Sequence, residues 1–105
     1  MPHVLVLNTC PDLATARALA DHLVATRLAA CVNIVPGIQS VYEWQGKVEL
    51  GTECLLYIKT RRERYGALEQ ALRERHPYEL PEIIAVPIEA GLPAYLQWVD
   101  HQTEE

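Results

Sequence analysis

The residues with the most chemistry to offer sit in one short stretch, RHPYELPE at 75–82. His76 brings an imidazole, Tyr78 a phenol and Glu82 a carboxylate. Neutral imidazole is a good ligand for copper, zinc and nickel, and a carboxylate such as Glu82 can complete such a site. The competing reading is structural. A histidine at a helix C-terminus bonds the last carbonyls and favours the dipole, while the flanking prolines end one element and launch the next. Glu53 and Lys59 share parity in one strand with Leu55 and Tyr57, opposite Cys54 and Ile58. Charged groups on a face that also carries apolar residues must be paired or exposed. Glu53, Lys59, His76, Tyr78 and Glu82 could therefore converge on a polar ligand pocket. The alternative for the same charges is ion pairing at a subunit interface. Cys10, Cys31 and Cys54 are widely spaced, odd in number and contain no C-x-x-C pair. That argues against a disulfide framework or a structural zinc site. Cys31 and Cys54 read first as small core hydrophobes.

The elements that must position these residues alternate in period. Residues 3–9, HVLVLNT, form a buried strand by length and composition. Thr9-x-x-Asp12 resembles a capping box with Pro11 in a first-turn position, and helical spacing follows over 11–27. Residues 28–44 form a second strand region, bent or bulged at Pro36-Gly37. Gln45-Gly46 makes a tight turn into a return strand over 47–59. Thr60-x-x-Glu63 suggests a second capping box, opening a helix from 61 to about 75 that Pro77 stops. Residues 82–88 read as a fourth strand, and Gly91-Leu92-Pro93 opens a short last helix.

This order, βαββαβ plus a C-terminal helix, predicts a single α+β domain over residues 1–105 with a ferredoxin-like sandwich. Helices are expected on one face of an antiparallel sheet. The central hairpin is long for a domain of this size, so its tip should project. That tip carries Val41, Tyr42, Trp44 and Val48. Exposed aromatic surface and long strand edges invite pairing with another copy of the chain.

LAACVNIVPG at 28–37, SVYEWQGK at 40–47 and HPYELPE at 76–82 resemble the divalent-cation-tolerance family, CutA. The opening VLVLNTCPDLATA and the spacing of the blocks fit as well, so the resemblance covers nearly the whole chain. It implies the ferredoxin-like fold and a homotrimer built through the long hairpin strands, similar in architecture to the trimeric PII signal proteins. It implies a role in tolerance of copper and other divalent metals, with a metal ion such as Cu(II) or Zn(II) that the fold does not require. The family's proposed copper donors, a cysteine late in the first strand and two histidines before Pro-Tyr, fall here on Asn8, Arg75 and His76. Cys10, two residues after Asn8 and on the same face of a strand, could replace the missing thiolate. The candidate metal residues are then His76, Cys10 and Glu82. The candidate ligand-binding residues are Cys31, Glu53, Lys59 and Tyr78, with Cys31 lining a cleft between subunits. A PII-like signalling or anchoring trimer without metal function is the alternative.

Composition narrows the remaining classes. A net charge of −5 argues against binding nucleic acid through its backbone. Phenylalanine is absent, which fits poorly with single-strand RNA readers of this topology. The first loop, NTCPD, has no arginine to hold a phosphate, and no base adjoins Cys10 to make it a nucleophile, so no enzyme is expected. The N-terminal apolar run is short, without a basic segment before it, and nothing approaches a membrane span. The expected location is cytoplasmic.

Overall fold

The computed structural model describes residues 2–105. Strand β1 (His3–Cys10) leads into helix α1 (Leu13–Ala25). Strands β2 (Cys31–Trp44) and β3 (Lys47–Arg61) form the long hairpin. A single 3-10 turn (Arg62–Arg64) precedes α2 (Tyr65–Arg75), and β4 (Ile83–Pro87) and α3 (Pro93–Gln102) complete the chain. The sheet order is β2-β3-β1-β4, and every neighbouring pair is antiparallel. This is the ferredoxin-like arrangement that the element order predicts.

Alternation along the inner strands decides the core. Val4, Val6, Asn8 and Cys10 of β1 and Cys54, Leu56, Ile58 and Thr60 of β3 are buried on one face. Ala16, Leu19 and Leu23 of α1 and Leu68 and Leu72 of α2 close over the apolar members of that set. The stripe spacing of three and four places these helix residues on one side of each helix. Helix α3 instead lies against the opposite face, contrary to the expectation that all helices share one. His3 on that face bonds Asp100 at 2.8 Å, and the Arg61 guanidinium donates to the Thr103 hydroxyl and carbonyl.

Both capping expectations fail, for the same reason. Pairing of Cys10 with Cys54 carries β1 one residue further than its apolar run, so the helix starts after Asp12. Asp12 itself is the N-cap, its carboxylate accepting from the Thr15 amide at 2.8 Å, which holds it below the usual carboxylate range. Thr60 likewise remains in β3 opposite Val4, and its hydroxyl donates to the Leu28 carbonyl at 2.7 Å. Residues 28–30 are not strand, since the Leu28 and Ala29 amides turn back to the Leu23 carbonyl.

That turn places Arg27 at φ 62, where glycine is favoured. An arginine there is explained by its guanidinium, which donates to the carbonyls of Glu104 (2.8 Å) and His101 and so ties α1 to the end of α3. Arg27→Ala loses both contacts and keeps the left-handed backbone, so a loss of about 1–2 kcal/mol is expected in urea unfolding. Arg27→Gly loses the same contacts but relaxes the backbone, and should cost less.

The hairpin turns at Gln45 and Gly46, both with positive φ (51° and 82°), as a type I′ turn requires. Residues 41–50 are exposed throughout, and the molecule measures 45 × 25 × 22 Å. Across from Cys54 the ladder shifts register between Val35 and Ile38, a bulge at Pro36-Gly37 with Gly37 at φ 73. Among the described residues no helix is long and apolar enough to cross a membrane.

Candidate functional site

His76 is the C-cap of α2, its own amide bonding the Leu72 carbonyl at 2.8 Å. Its extended backbone, required before Pro77, swings the ring away from the helix end. The ring enters the interior, and the residue as a whole is 9% exposed. Nε2 lies 2.8 Å from the Thr9 carbonyl oxygen, and Nδ1 accepts from the Tyr78 amide at 3.1 Å. A carbonyl only accepts and an amide only donates, so the ring carries its proton on Nε2. Both nitrogens are committed, and His76 clasps the end of β1 to the corner that follows α2.

The same corner carries Tyr78, whose ring centroid is 4.8 Å from that of His76. Its hydroxyl donates to a Glu53 carboxylate oxygen at 2.7 Å, across to β3. Burial raises the Tyr78 pKa most, and the Glu53 hydrogen bond and charge raise it further. The phenol is therefore a firm donor at neutral pH. Tyr42 on β2 contributes to the same rise and lies over Gly51. Glu53, Tyr78 and Tyr42 thus form a polar row where the hairpin leaves the body of the molecule.

Glu82 enters through its backbone, its carbonyl accepting from the Asn8 side-chain Nδ2 at 2.8 Å. Asn8 is wholly buried, and its Oδ1 has no hydrogen-bond partner among the described residues. Cys10 does share the face of Asn8, as parity predicts, but that face is the core and Cys10 is wholly buried. Its thiol lies 3.7 Å from the Asp12 carbonyl oxygen. Burial, and next the neighbouring Cys54, push its pKa up to about 11. Native protein at pH 8 is expected to show no reaction of Cys10 with a bulky aromatic disulfide reagent, while half-buried Cys31 reacts; peptide mapping after quenching checks this.

Lys59 does not join the Tyr78 group. It lies six residues along β3 from Glu53, roughly 20 Å at strand rise. There its ammonium donates to the Asn33 side-chain oxygen, directly across from Cys31. Tyr95 neighbours Cys31, and burial, then Cys31, raises the Tyr95 pKa. Tyr95 also packs against Trp98, with centroids 5.6 Å apart. The single convergent pocket expected from the sequence is therefore two groups on one sheet face. Glu53, Tyr78 and His76 stand at the hairpin end, and Cys31, Lys59, Asn33 and Tyr95 under α3. Asn33 and Tyr95 escaped the sequence reading. The only signals were the register of Asn33 opposite Tyr57 and the place of Tyr95 on a helix whose packing face was unknown.

The proposed metal donors can be tested against this geometry. The lone pair of His76 is taken by an amide, Cys10 is a protonated thiol inside the core, and Glu82 is held by its backbone. Among the described residues no three of His, Cys, Asp and Glu are grouped to hold an ion. Within one chain these residues do not fit a divalent metal.

Comparison with known proteins adds an independent line. The family model for the CutA1 divalent ion tolerance protein matches residues 4–102. A relative from Xenopus laevis, described as a protein CutA homolog, is 53% identical over 91 residues. Those residues are 87% of this chain but 60% of that protein, so the chain spans under two thirds of its length. A divalent-cation tolerance protein CutA from Thermus thermophilus is 46% identical over 99 residues, covering 94% of this chain and 96% of its own. The crystal structure of CutA from Xylella fastidiosa superposes with a TM-score of 0.97 at 44% identity, covering 99% of this chain and all of that one.

Proposed function

This chain belongs to the CutA1 divalent ion tolerance family, and on that premise we propose that it acts as a homotrimer that binds a divalent metal or small ligand at clefts between subunits. The observation that carries the reading is the projecting hairpin. Val41, Tyr42, Trp44, Val48 and Leu50 are all exposed in the single chain. Apolar surface concentrated on one projecting element favours association. Residues 31–35 and 38–44 of β2 pair on one side only, since β2 is an edge of the sheet. Pairing this edge with a second copy would bring a neighbour against the face that carries Glu53, Tyr78, Lys59 and Cys31. A metal site would then draw donors from more than one chain, with the Glu53 carboxylate as this chain's contribution and copper or zinc as the ion. The role is one of binding in the cytoplasm rather than catalysis.

Calorimetric titration of the purified trimer with Cu(II) and with Zn(II) tests this. Saturable binding is expected, weakened about tenfold or more in Glu53→Gln. Equal binding by that variant would remove Glu53 from the site. A second reading, a PII-like signalling or anchoring trimer with no metal function of its own, is favoured by the occupied nitrogens of His76. The absence of any saturable metal binding by the intact trimer would select it.

A further inference from the structure

Cys10 and Cys54 are direct partners in the β1–β3 ladder and lie on the same, core-facing side of the sheet. The type of pair they form follows from the alternation of antiparallel hydrogen bonds. The Arg62 amide donates to the Pro2 carbonyl at 2.8 Å, one step beyond the His3–Arg61 pair. Every second pair from there is of the hydrogen-bonded type, which includes Val4–Thr60, Val6–Ile58, Asn8–Leu56 and Cys10–Cys54. Such pairs hold their Cα atoms about 5.5 Å apart, within the roughly 4.4–6.8 Å that a disulfide spans.

The surroundings of this pair differ from those of the other pairs in the ladder. Pairing of β4 with β1 stops at Asn8, so no β4 residue flanks Cys10. On the other side, Cys54 faces the register shift at Pro36-Gly37, where the outer strand has two residues against one. Bulges increase local twist and loosen the ladder. The two strands are therefore least constrained by their outer neighbours at the pair where both carry a thiol. Deeper pairs such as Val6–Ile58 are flanked by regular strands on both sides, with Ala85 beyond Val6 and Val32 beyond Ile58.

We propose that Cys10 and Cys54 are an oxidative modification site, a buried dithiol that a small peroxide converts to a cross-strand disulfide. Cys54, 4% exposed and beside the bulge, takes the first step. The Cys54 sulfur attacks one oxygen of hydrogen peroxide, its S–H proton passes to the departing hydroxide, the O–O bond breaks and water leaves, giving a sulfenic acid. The Cys10 sulfur then attacks the Cys54 sulfur, the S–O bond breaks, and a second water leaves. Two thiols and one peroxide become one disulfide and two waters, with both electrons passing to the peroxide. The product is neutral, so it suits the apolar core that closes over it. Cys31 lies on the other face of the sheet and takes no part. The Cα spacing suits a disulfide, but the Cβ atoms of a hydrogen-bonded pair stand about 5.5 Å apart and must close to roughly 3.5–4.5 Å, so the link is strained, and strained disulfides are the readily reduced ones.

The test uses the intact chain, folded, with hydrogen peroxide as the oxidant. After quenching, the protein is unfolded, alkylated and mapped by mass spectrometry. The expected product is a peptide pair joined through Cys10 and Cys54, a mass lower by two hydrogens, and one alkylated thiol at Cys31. Cys31→Ser should give the same link, Cys10→Ala none, and dithiothreitol should restore both thiols. Three thiols remaining free, Cys54 advancing to sulfinic acid without a link, or linkage through Cys31 would each overturn the proposal. So would a Cys10–Cys54 link that forms only when oxidation is carried out in denaturant. Since the wild-type map decides, misfolding of Cys10→Ala would not protect it.

Discussion

Replacing His76 with alanine lowers the stability of the fold by about 2–4 kcal/mol and leaves metal binding by the folded protein unchanged. The size follows from what the ring holds. Removing it strands the Thr9 carbonyl and the Tyr78 amide in a site where His76 is 9% exposed. An unpaired buried polar group costs about 1–3 kcal/mol, and part of that is recovered where water can enter. The loss is long-range, because the clasp joins residues 67 apart in sequence and fixes the end of β1 against the end of α2. His76→Gln keeps one donor and one acceptor and should recover part of the loss. Equilibrium urea unfolding measures the first arm, and Cu(II) titration at matched folded concentration measures the second. The opposite pattern, an unchanged urea midpoint with lost copper uptake, would make His76 a ligand and sink the clasp.

The outcome for RHPYELPE shows what a sequence can and cannot carry. Pro77 ending α2 and the return to strand after Pro81 are local effects of proline on its own and the preceding residue, and they were legible. So was the Gln45-Gly46 turn, because a glycine free to adopt positive φ between two strand-like runs marks it. The partner of His76 was not legible, since it is a backbone carbonyl and no side-chain pattern marks it. The caps failed on a related ground. Thr9 and Asp12 both have capping chemistry, and only the pairing of Cys10 with Cys54 decides which one ends the strand. Parity placed Glu53 and Lys59 correctly on one face, but their separation along β3 decides that they serve different neighbours. The buried position of Cys10 follows the same logic. Sharing a face with Asn8 was readable, whereas which face the helices cover depends on packing across the whole sheet.

The hairpin carries the other large effect. A double substitution, Trp44→Glu with Val48→Glu, is expected to convert the proposed trimer into single chains and to lower thermal stability with it. Both side chains are more exposed than not in the isolated chain, at 59% and 77%, so neither supports the core of its own subunit. A fall in stability on replacing them must therefore come from contacts with another copy. Burying a large apolar side chain contributes about 1.5–3 kcal/mol. Each chain would lose two such side chains and gain two charges at the contact, a penalty that association does not survive at micromolar concentration. Sedimentation velocity should show the mass of one chain for the variant and of three for the native sequence. Circular dichroism should show the same strand and helix content in both, since the core of Val6, Leu23, Leu56, Ile58 and Leu72 lies far along β3 from the tip. Because a trimer links stability to concentration, the melting temperature of the native protein should rise with dilution reversed, that is, with increasing concentration, while that of the variant stays fixed. A native chain that sediments as a monomer would remove the trimer, and with it the clefts to which metal binding is assigned.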